Sequence, residues 1–144
     1  MFGASGFITG HAADVYDPKS VRASTGSLFS VPAVRMAQYR PVLDWVTGLR
    51  DRGVAVQAVG TDEKGDLNVA QDDFTQPTLL LIGNEKAGLS AAWQEASDHL
   101  VRRPMAATAA SSLNAATAAS VVLYESMRRK TAVQHGLGPR GSVC

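Results

Sequence analysis

Hydrophobic residues in this chain come in short runs separated by turn residues, and the runs alternate between a strand-like and a helix-like spacing. Gly6–Gly10 (Gly-Phe-Ile-Thr-Gly) is a brief apolar run bounded by glycines and predicts a buried strand. Asp17-Pro18 opens a turn, and proline suits the first position of a helix, so a short helix is expected from Pro18 to about Thr25, followed by Gly26. Leu28–Val34 is apolar but holds Pro32, which has no N–H for a ladder; it reads as a loop or a short edge piece. Residues 41–52 predict a helix: Pro41 stands near its start, Val42, Val46 and Leu49 line one face, Leu43 and Trp45 flank it, and Gly53 supplies a left-handed exit. Trp45, and Trp93 further on, are expected in the core.

The strand-like spacing returns at Val54–Val59 (Val-Ala-Val-Gln-Ala-Val), followed by a turn cluster at Thr61–Gly65 and a short strand at Asp66–Ala70. Thr78–Ile82 is a continuous apolar run, the pattern of a parallel central strand covered on both faces. Leu89, Ala92, Trp93, Ala96 and Leu100 follow helical spacing and predict a helix over 89–98; Leu100–Arg103 predicts a strand stopped by Pro104. A last helix is expected from Ser112 to about Lys130, burying Leu113, Ala116, Thr117, Ser120, Val121, Leu123, Tyr124 and Met127. Residues 131–144 read as a flexible tail. Strands alternating with helices give an α/β class with a mainly parallel sheet of three or four strands and helices on both faces. The first strand starts almost at residue 1, with no opening βα unit before it.

Composition narrows the class. The chain has 144 residues, 45% of them hydrophobic and 19% charged, which suits one domain with a packed core. No apolar run approaches the ~18–20 residues of a membrane span, and the first residues lack the charged and apolar regions of a signal peptide, so a cytoplasmic protein is expected. Cys144 is the single cysteine, and His11, His99 and His135 lie far apart, so neither a disulfide framework nor a metal site is expected. The formal net charge of +1 conceals an uneven spread. Residues 60–74 hold Asp62, Glu63, Asp66, Asp72 and Asp73 against Lys64, whereas residues 126–144 hold Arg128, Arg129, Lys130 and Arg140 and no acid. Two readings fit: plain solvated faces, or a basic lip for a polyanion with the acids pointing away.

Three segments carry candidate chemistry. Gly83-Asn84-Glu85-Lys86-Ala87-Gly88-Leu89-Ser90 follows a predicted buried strand and precedes a helix, where ligands of open α/β sheets bind. Leu89 stands where a Walker loop needs lysine, and no G-x-G-x-x-G occurs, so the segment is either another kind of ligand loop or a plain strand–helix turn. Arg102-Arg103-Pro104-Met105 leads through small residues to Ser112-Leu113-Asn114. Ser112 is explained as a helix cap, but Asn114 is a poor interior helix residue, and the run of tiny side chains suits a close approach of backbone or ligand. In Asp17–Ser24, Arg22 beside hydroxyls suits the grip of a phosphate or ribose; the plainer alternatives are a surface arginine, or one paired with Asp14 or Asp17. No Gly-x-Ser-x-Gly elbow is present.

Taken in order, these segments resemble the SpoU/TrmH family of S-adenosylmethionine-dependent RNA ribose methyltransferases, of the SPOUT superfamily. Asp17-Pro18-Lys19-Ser20-Val21-Arg22-Ala23-Ser24 with Gly26-Ser27-Leu28-Phe29 is similar to the family block "DP-K-VRAS-GSLF". Leu80–Ser90 is similar to "LGNEG-GLS", and Pro104-Met105 with Ser112-Leu113-Asn114 and Tyr124-Glu125 to "IPM…SLN-S-A…YE". The likeness runs from about residue 3 to residue 127, within a domain expected at residues 1–130; the antibiotic-resistance methyltransferases of actinomycetes share the same blocks.

The resemblance implies a C-terminal trefoil knot in an α/β domain, a homodimer, and methyl transfer from S-adenosylmethionine to a ribose 2′-OH of rRNA or tRNA, with no DNA and no membrane as partner. It assigns Ile82, Gly83, Asn84, Gly88, Arg103, Met105 and Leu113 to the cofactor, Glu85, Ser112 and Asn114 to the reaction centre, and Arg22 to RNA. The 2′-OH is a poor nucleophile until its proton is held or removed, so a positioned acceptor is needed. Two departures stand out. The family's earlier segment, an asparagine followed by an arginine before "FGA-G", is absent ahead of Phe2-Gly3-Ala4-Ser5-Gly6, which implies a truncated chain or a degenerate copy. Arg103 replaces the usual apolar residue before Pro-Met. The competing functions are therefore an inactive cofactor- or RNA-binding remnant, and an interaction module that only dimerises through its first and last helices.

Overall fold

The structure is a computed structural model and describes residues 3–10, 14–62, 64–84, 87–102 and 115–136. The chain falls into two compact units, Gly3–Arg52 and Gly53–Cys144.

In the first unit, β1 (Phe7–Thr9) and β2 (Ala33–Arg35) pair in parallel, Phe7 opposite Ala33. Pro32 ends up beside a strand because its carbonyl, not its missing N–H, does the pairing: it accepts from the Phe7 N–H at 3.0 Å. The stretch expected as a loop or edge piece thus contains a 3-10 turn, Ser27–Ser30, and then β2. Helix α1 (Pro18–Ala23) is shorter than its expected span. Asp17 caps it by accepting from the Lys19 N–H at 3.0 Å, Pro18 occupies its first turn, and Thr25, expected to be helical, has φ +49°. Helix α2 (Arg40–Asp51) buries Val42 and Val46, and Gly53 leaves it at φ +86°. Leu43 and Leu49 are half-buried. Trp45 is 49% exposed, contrary to the core position expected for it: the buried stripe centres on Val42 and Val46, and Trp45 falls on its far edge.

The second unit is built on a four-stranded parallel sheet in the order β4-β6-β3-β5, with β3 Gln57–Thr61, β4 Leu67–Asn68, β5 Thr78–Leu81 and β6 His99–Arg102. The register fixes its faces. Val59 lies opposite Leu80, and Val101 opposite both Thr61 and Leu67. Val59, Leu80, Val101 and Leu67 accordingly share one face, where they pack with Val69, Phe74 and Val121–Val122 of the long helix α4 (Ala115–Gln134). Phe74, Val59, Val101 and Val122 are almost fully enclosed, and each such side chain stabilises the fold by roughly 1.5–3 kcal/mol relative to exposure. Gly60 is on the opposite face, which α3 (Ala91–Ala96) covers. A Cβ on Gly60 would come within 2.7 Å of Leu89 and 2.9 Å of Ser97, so glycine there lets α3 and its flanks lie close against the sheet.

Several element bounds differ from the expected ones. The strand expected at Val54–Val59 begins at Gln57 and runs to Thr61: a tight turn, Val56 N–H to Val54 carbonyl at 2.8 Å, removes residues 54–56, and pairing with Thr78 sets the start. Helix α3 is shorter than 89–98 because Asp98 turns to the sheet, its N–H donating to the Ala58 carbonyl at 2.8 Å and its carboxylate accepting from the Ala58 N–H at 2.7 Å. Helix α4 continues past Lys130 to Gln134, because no breaker occurs before Gly136, which has φ +66°. Its buried stripe is Ala118 and Val122, with Glu125 and Arg129 half-buried; Ala116, Thr117, Ser120 and Tyr124, expected inside, are exposed.

β6 lies between β3 and β4, which the chain joins by residues 62–66 alone. That connection therefore crosses β6. Gly65 is buried at the crossing: a Cβ there would stand 2.7 Å from the Leu100 carbonyl oxygen, the Val101 carbonyl carbon and the Arg102 nitrogen. Among the described residues, no helix is long and apolar enough to cross a membrane.

Candidate functional site

Because all four strands of the second unit run in parallel, the carboxyl ends of β3, β5 and β6 (Thr61, Leu81 and Arg102) share one edge of the sheet. That edge is where open α/β sheets take ligands. The chain leaving β5 there is Ile82, Gly83 and Asn84, and it closes on itself at Gly88. Asn84 and Gly88 form an isolated antiparallel bridge, Asn84 N–H to Gly88 carbonyl at 3.0 Å and Gly88 N–H to Asn84 carbonyl at 2.8 Å. Gly88 has φ +66°, which favours glycine, and a Cβ on Gly83 would lie 2.3 Å from the Gly88 carbonyl carbon and 2.4 Å from the Leu89 nitrogen. The two glycines are thus required by the turn itself. Leu89 is then buried, anchoring the loop's far end over Gly60.

The structure brings together Ile82, Gly83, Asn84 and Gly88, four of the positions assigned to the cofactor. Ile82 and Gly83 are half-buried, Asn84 and Gly88 exposed. Glu85, Arg103, Met105, Ser112, Leu113 and Asn114 lie outside the described residues. Arg22 is exposed on α1 in the first unit. Asp14 and Asp17, the carboxylates that the plainer reading pairs with it, accept instead from the backbone N–H groups of Tyr16 and Lys19, at 3.0 Å each.

Three further residues at this edge carry no local sequence signal of their role there. The Thr61 hydroxyl donates to the Leu81 carbonyl at 3.2 Å, joining the ends of β3 and β5. The Asp62 N–H donates to the Val101 carbonyl at 3.1 Å, joining β3 to β6. Gln94 of α3 reaches Asp62 and Leu89 together. Gln94 is 32 positions from Asp62 in sequence, and no local pattern links them.

The charged stretches fit the solvated-face reading in part: Lys64, Asp66, Asp73, Arg128 and Lys130 are exposed, while several of the charges are also tied to the chain itself. In the acidic one, Asp62 and Asp73 hold turns. Asp62 accepts from the Lys64 N–H at 2.7 Å, and Asp73 accepts from the Thr75 hydroxyl at 2.6 Å and the Thr75 N–H at 3.0 Å, which lowers the Asp73 carboxyl below its usual range. Asp72 is buried, and its Oδ2 has no hydrogen-bond partner among the described residues. In the basic one, Arg128 and Arg129 both fold back onto Glu125, just outside the stretch. Arg128 makes two bonds to it at 2.8 and 2.6 Å, Arg129 one at 2.8 Å. The Arg128 bonds first, and Arg129 second, pull the Glu125 carboxyl down to about 2. Arg129 also donates to the Ala70 carbonyl, tying α4 to the segment after β4. Among the described residues, no group of His, Cys, Asp and Glu is arranged to hold a metal ion.

Comparison with known proteins decides the family. The sequence pattern of the SpoU rRNA Methylase family matches residues 1–124. The chain belongs to this family. A 23S rRNA (uridine(2479)-2'-O)-methyltransferase of Streptomyces viridochromogenes is 61% identical over 129 residues, 89% of this chain and 45% of that protein. The 23S rRNA (guanosine-2'-O-)-methyltransferase RlmB of Pseudomonas syringae pv. tomato is 33% identical over 115 residues, 80% of this chain and 44% of that protein. The chain thus spans about half the length of the curated relatives it matches. Among solved structures, the SpoU methyltransferase AviRb of Streptomyces viridochromogenes, in complex with AdoMet, superposes with a TM-score of 0.87 at 59% identity, covering 91% of this chain and 52% of that one. An AdoMet-bound rRNA methyltransferase of Sinorhizobium meliloti gives 0.76 at 35% identity, covering 88% and 47%. The α/β SpoU fold expected from the motifs is the one these neighbours share.

Proposed function

We propose that this chain is the cofactor-binding, catalytic portion of an RNA 2′-O-methyltransferase that modifies rRNA in the cytoplasm. The observation that carries the reading is the β5 loop. It is closed by the Asn84–Gly88 bridge at the carboxyl edge of a parallel sheet, in a chain 61% identical to a 23S rRNA 2'-O-methyltransferase. The loop suits S-adenosylmethionine better than a polyphosphate. Half-buried Ile82 offers an apolar surface, and Gly83 and Gly88 have no side chain to keep a ligand from the backbone, which suits the purine of S-adenosylmethionine. Ile82, Gly83, Asn84 and Gly88 would hold this cofactor, with Arg103, Met105 and Leu113 closing the seat. When bound, S-adenosylmethionine supplies an electrophilic methyl group.

The rest of the work falls to the chain. Glu85, Ser112 and Asn114 orient the ribose 2′-OH and hold or accept its proton, because the hydroxyl is a weak nucleophile while protonated. Arg22 grips an RNA phosphate through its forked N–H donors. A trefoil knot is supported by the crossing of β6 at Gly65, since the strand that leads to residues 103–114 already runs past the β3–β4 connection. A homodimer is supported by the exposed α4 face of Ala116, Thr117, Ser120 and Tyr124, with Tyr124 52% exposed. An inactive remnant is not favoured, given the high identity to a named enzyme.

The test combines calorimetric titration of S-adenosylmethionine with transfer of a radiolabelled methyl group to 23S rRNA. Saturable binding, with label recovered as a 2′-O-methyl nucleoside, is expected. A folded chain that binds no cofactor would overturn the reading.

A further inference from the structure

Gln94 reaches out of α3 to two acceptors on different segments. Its Nε2 lies 3.1 Å from the Asp62 Oδ2 and 3.1 Å from the Leu89 carbonyl oxygen. Both partners are acceptors only, so the amide nitrogen must face them and a flipped amide is excluded by chemistry. The two N–H groups of one amide are therefore both engaged, one of them with a carboxylate, the stronger kind of acceptor. Both bonds are part-buried, where shielding from water strengthens them.

The partners belong to different segments at the carboxyl edge of the sheet. Asp62 is the first residue after β3 and is itself fixed, its N–H to the Val101 carbonyl of β6 and its Oδ1 to the Lys64 N–H. Leu89 directly follows the Asn84–Gly88 bridge and is buried against Gly60. Gln94 thus completes a ring that runs from the end of β3 through its own side chain to the end of the β5 loop, and back across the Thr61–Leu81 bond. Without Gln94, the far end of the loop keeps its apolar anchor but loses its polar tie to the strand ends.

We infer that Gln94 is a positioning residue that holds the loop after β5 closed, and so keeps the cofactor seat formed before a ligand arrives. The inference rests on the functional reading above. It assigns Gln94 no contact with substrate; it acts through the Leu89 carbonyl and Asp62. A glutamine that only stapled α3 to the sheet would change overall stability and leave the loop's own opening unaltered.

Two substitutions separate these roles. Gln94→Leu keeps the bulk and removes both donors. Gln94→Lys has similar reach and three N–H donors, so it satisfies the same two acceptors. Hydrogen exchange of the Asn84 and Gly88 amides is read on the chain without ligand, together with affinity for S-adenosylmethionine and the Tm. Gln94→Leu is expected to speed exchange at these two amides and to weaken cofactor binding, each by about tenfold, the factor equivalent to the one hydrogen bond that reaches the loop's end at the Leu89 carbonyl. Gln94→Lys is expected to restore both. Unchanged exchange at Asn84 and Gly88, with only the Tm lowered, would overturn the inference. So would a Gln94→Lys chain as impaired as Gln94→Leu. If Gln94→Leu does not fold, the isosteric Gln94→Glu, which sets a carboxylate against Asp62, is read by the same criteria. A wild-type chain that binds no S-adenosylmethionine would sink the functional reading, and the exchange measurement would still decide whether Gln94 holds the loop.

Discussion

Two glycines are required where they stand and a third is not, and the structure separates them by what an added methyl group would meet. At Gly65 it would stand 2.7 Å from three backbone atoms of β6, and backbone, unlike the far end of a flexible side chain, cannot give way cheaply. Gly65→Ala is expected to cost about 1–3 kcal/mol, the usual range for overpacking, and to lower the Tm by several degrees. Gly83→Ala meets the Gly88–Leu89 backbone at 2.3–2.4 Å and must open the loop, so loss of S-adenosylmethionine binding is expected beyond the loss of stability. Gly48 is the contrast: it lies inside α2 with nothing within 4 Å of an added Cβ. There alanine restricts the unfolded chain and favours the helix, and Gly48→Ala is expected to stabilise by roughly 0.5–1 kcal/mol. Urea unfolding of the three variants checks the signs together. A Gly65→Ala protein as stable as wild type would show that the β3–β4 connection does not press on β6.

Among the elements, those whose signal is local were readable in the sequence and those set by distant partners were not. Pro18 behind Asp17, Pro41 and Gly53 punctuate α1 and α2, and the apolar run Thr78–Leu81 gives β5 away, because each signal lies within the element it defines. The start of β3 depends on Thr78 across the sheet, and the end of α3 on Asp98 pairing with Ala58. Neither partner is near in sequence. The candidate loop was legible for the same local reason, through its two glycines after a buried strand, whereas its support by Thr61, Asp62 and Gln94 was not. The buried face of α4 was misread because small residues occur all round the helix, and only the packing of Val122 against Val59 and Val101 chooses among them. That choice has an electrostatic consequence. It brings Glu125 and Arg129 to the protein-facing side, where Arg128 and Arg129 hold the Glu125 carboxyl at about 2, down from 4.5. A carboxyl whose folded value is depressed contributes stability above its unfolded value and loses it as pH falls through the folded one. The Glu125 contribution is therefore expected in full above about pH 4.5 and to fade toward pH 2. Thermal unfolding of wild type and Glu125→Gln across this window checks it: the variant should be the less stable at pH 6, and the difference should shrink steadily toward pH 2. A gap as wide at pH 2 as at pH 6 would mean that Glu125 acts through packing and not through its charge.

At the scale of the whole molecule, the two compact units divide the proposed duties. Ile82, Gly83, Asn84, Gly88, Arg103, Met105 and Leu113 all belong to Gly53–Cys144, whereas Arg22 belongs to Gly3–Arg52. Cofactor affinity and RNA affinity should therefore respond separately to substitution. Arg22 lies on an exposed helix whose neighbouring carboxylates already accept from backbone N–H groups, so its removal strips no ion pair to Asp14 or Asp17 from the fold. Arg22→Ala is expected to leave the free energy of unfolding within about 0.5 kcal/mol of wild type, as surface substitutions usually do. It is also expected to leave S-adenosylmethionine affinity unchanged. If the guanidinium meets a phosphate, RNA binding weakens across sequences, and the slope of log affinity against log salt falls by about one counterion equivalent. Filter binding of an rRNA fragment over a range of salt concentrations measures that slope. An unchanged slope with weaker binding would move Arg22 from phosphate to ribose or base, where its contact releases no counterion. A loss of S-adenosylmethionine affinity in the same variant would contradict the division itself, because it would make a residue of the first unit necessary to a seat built from the second.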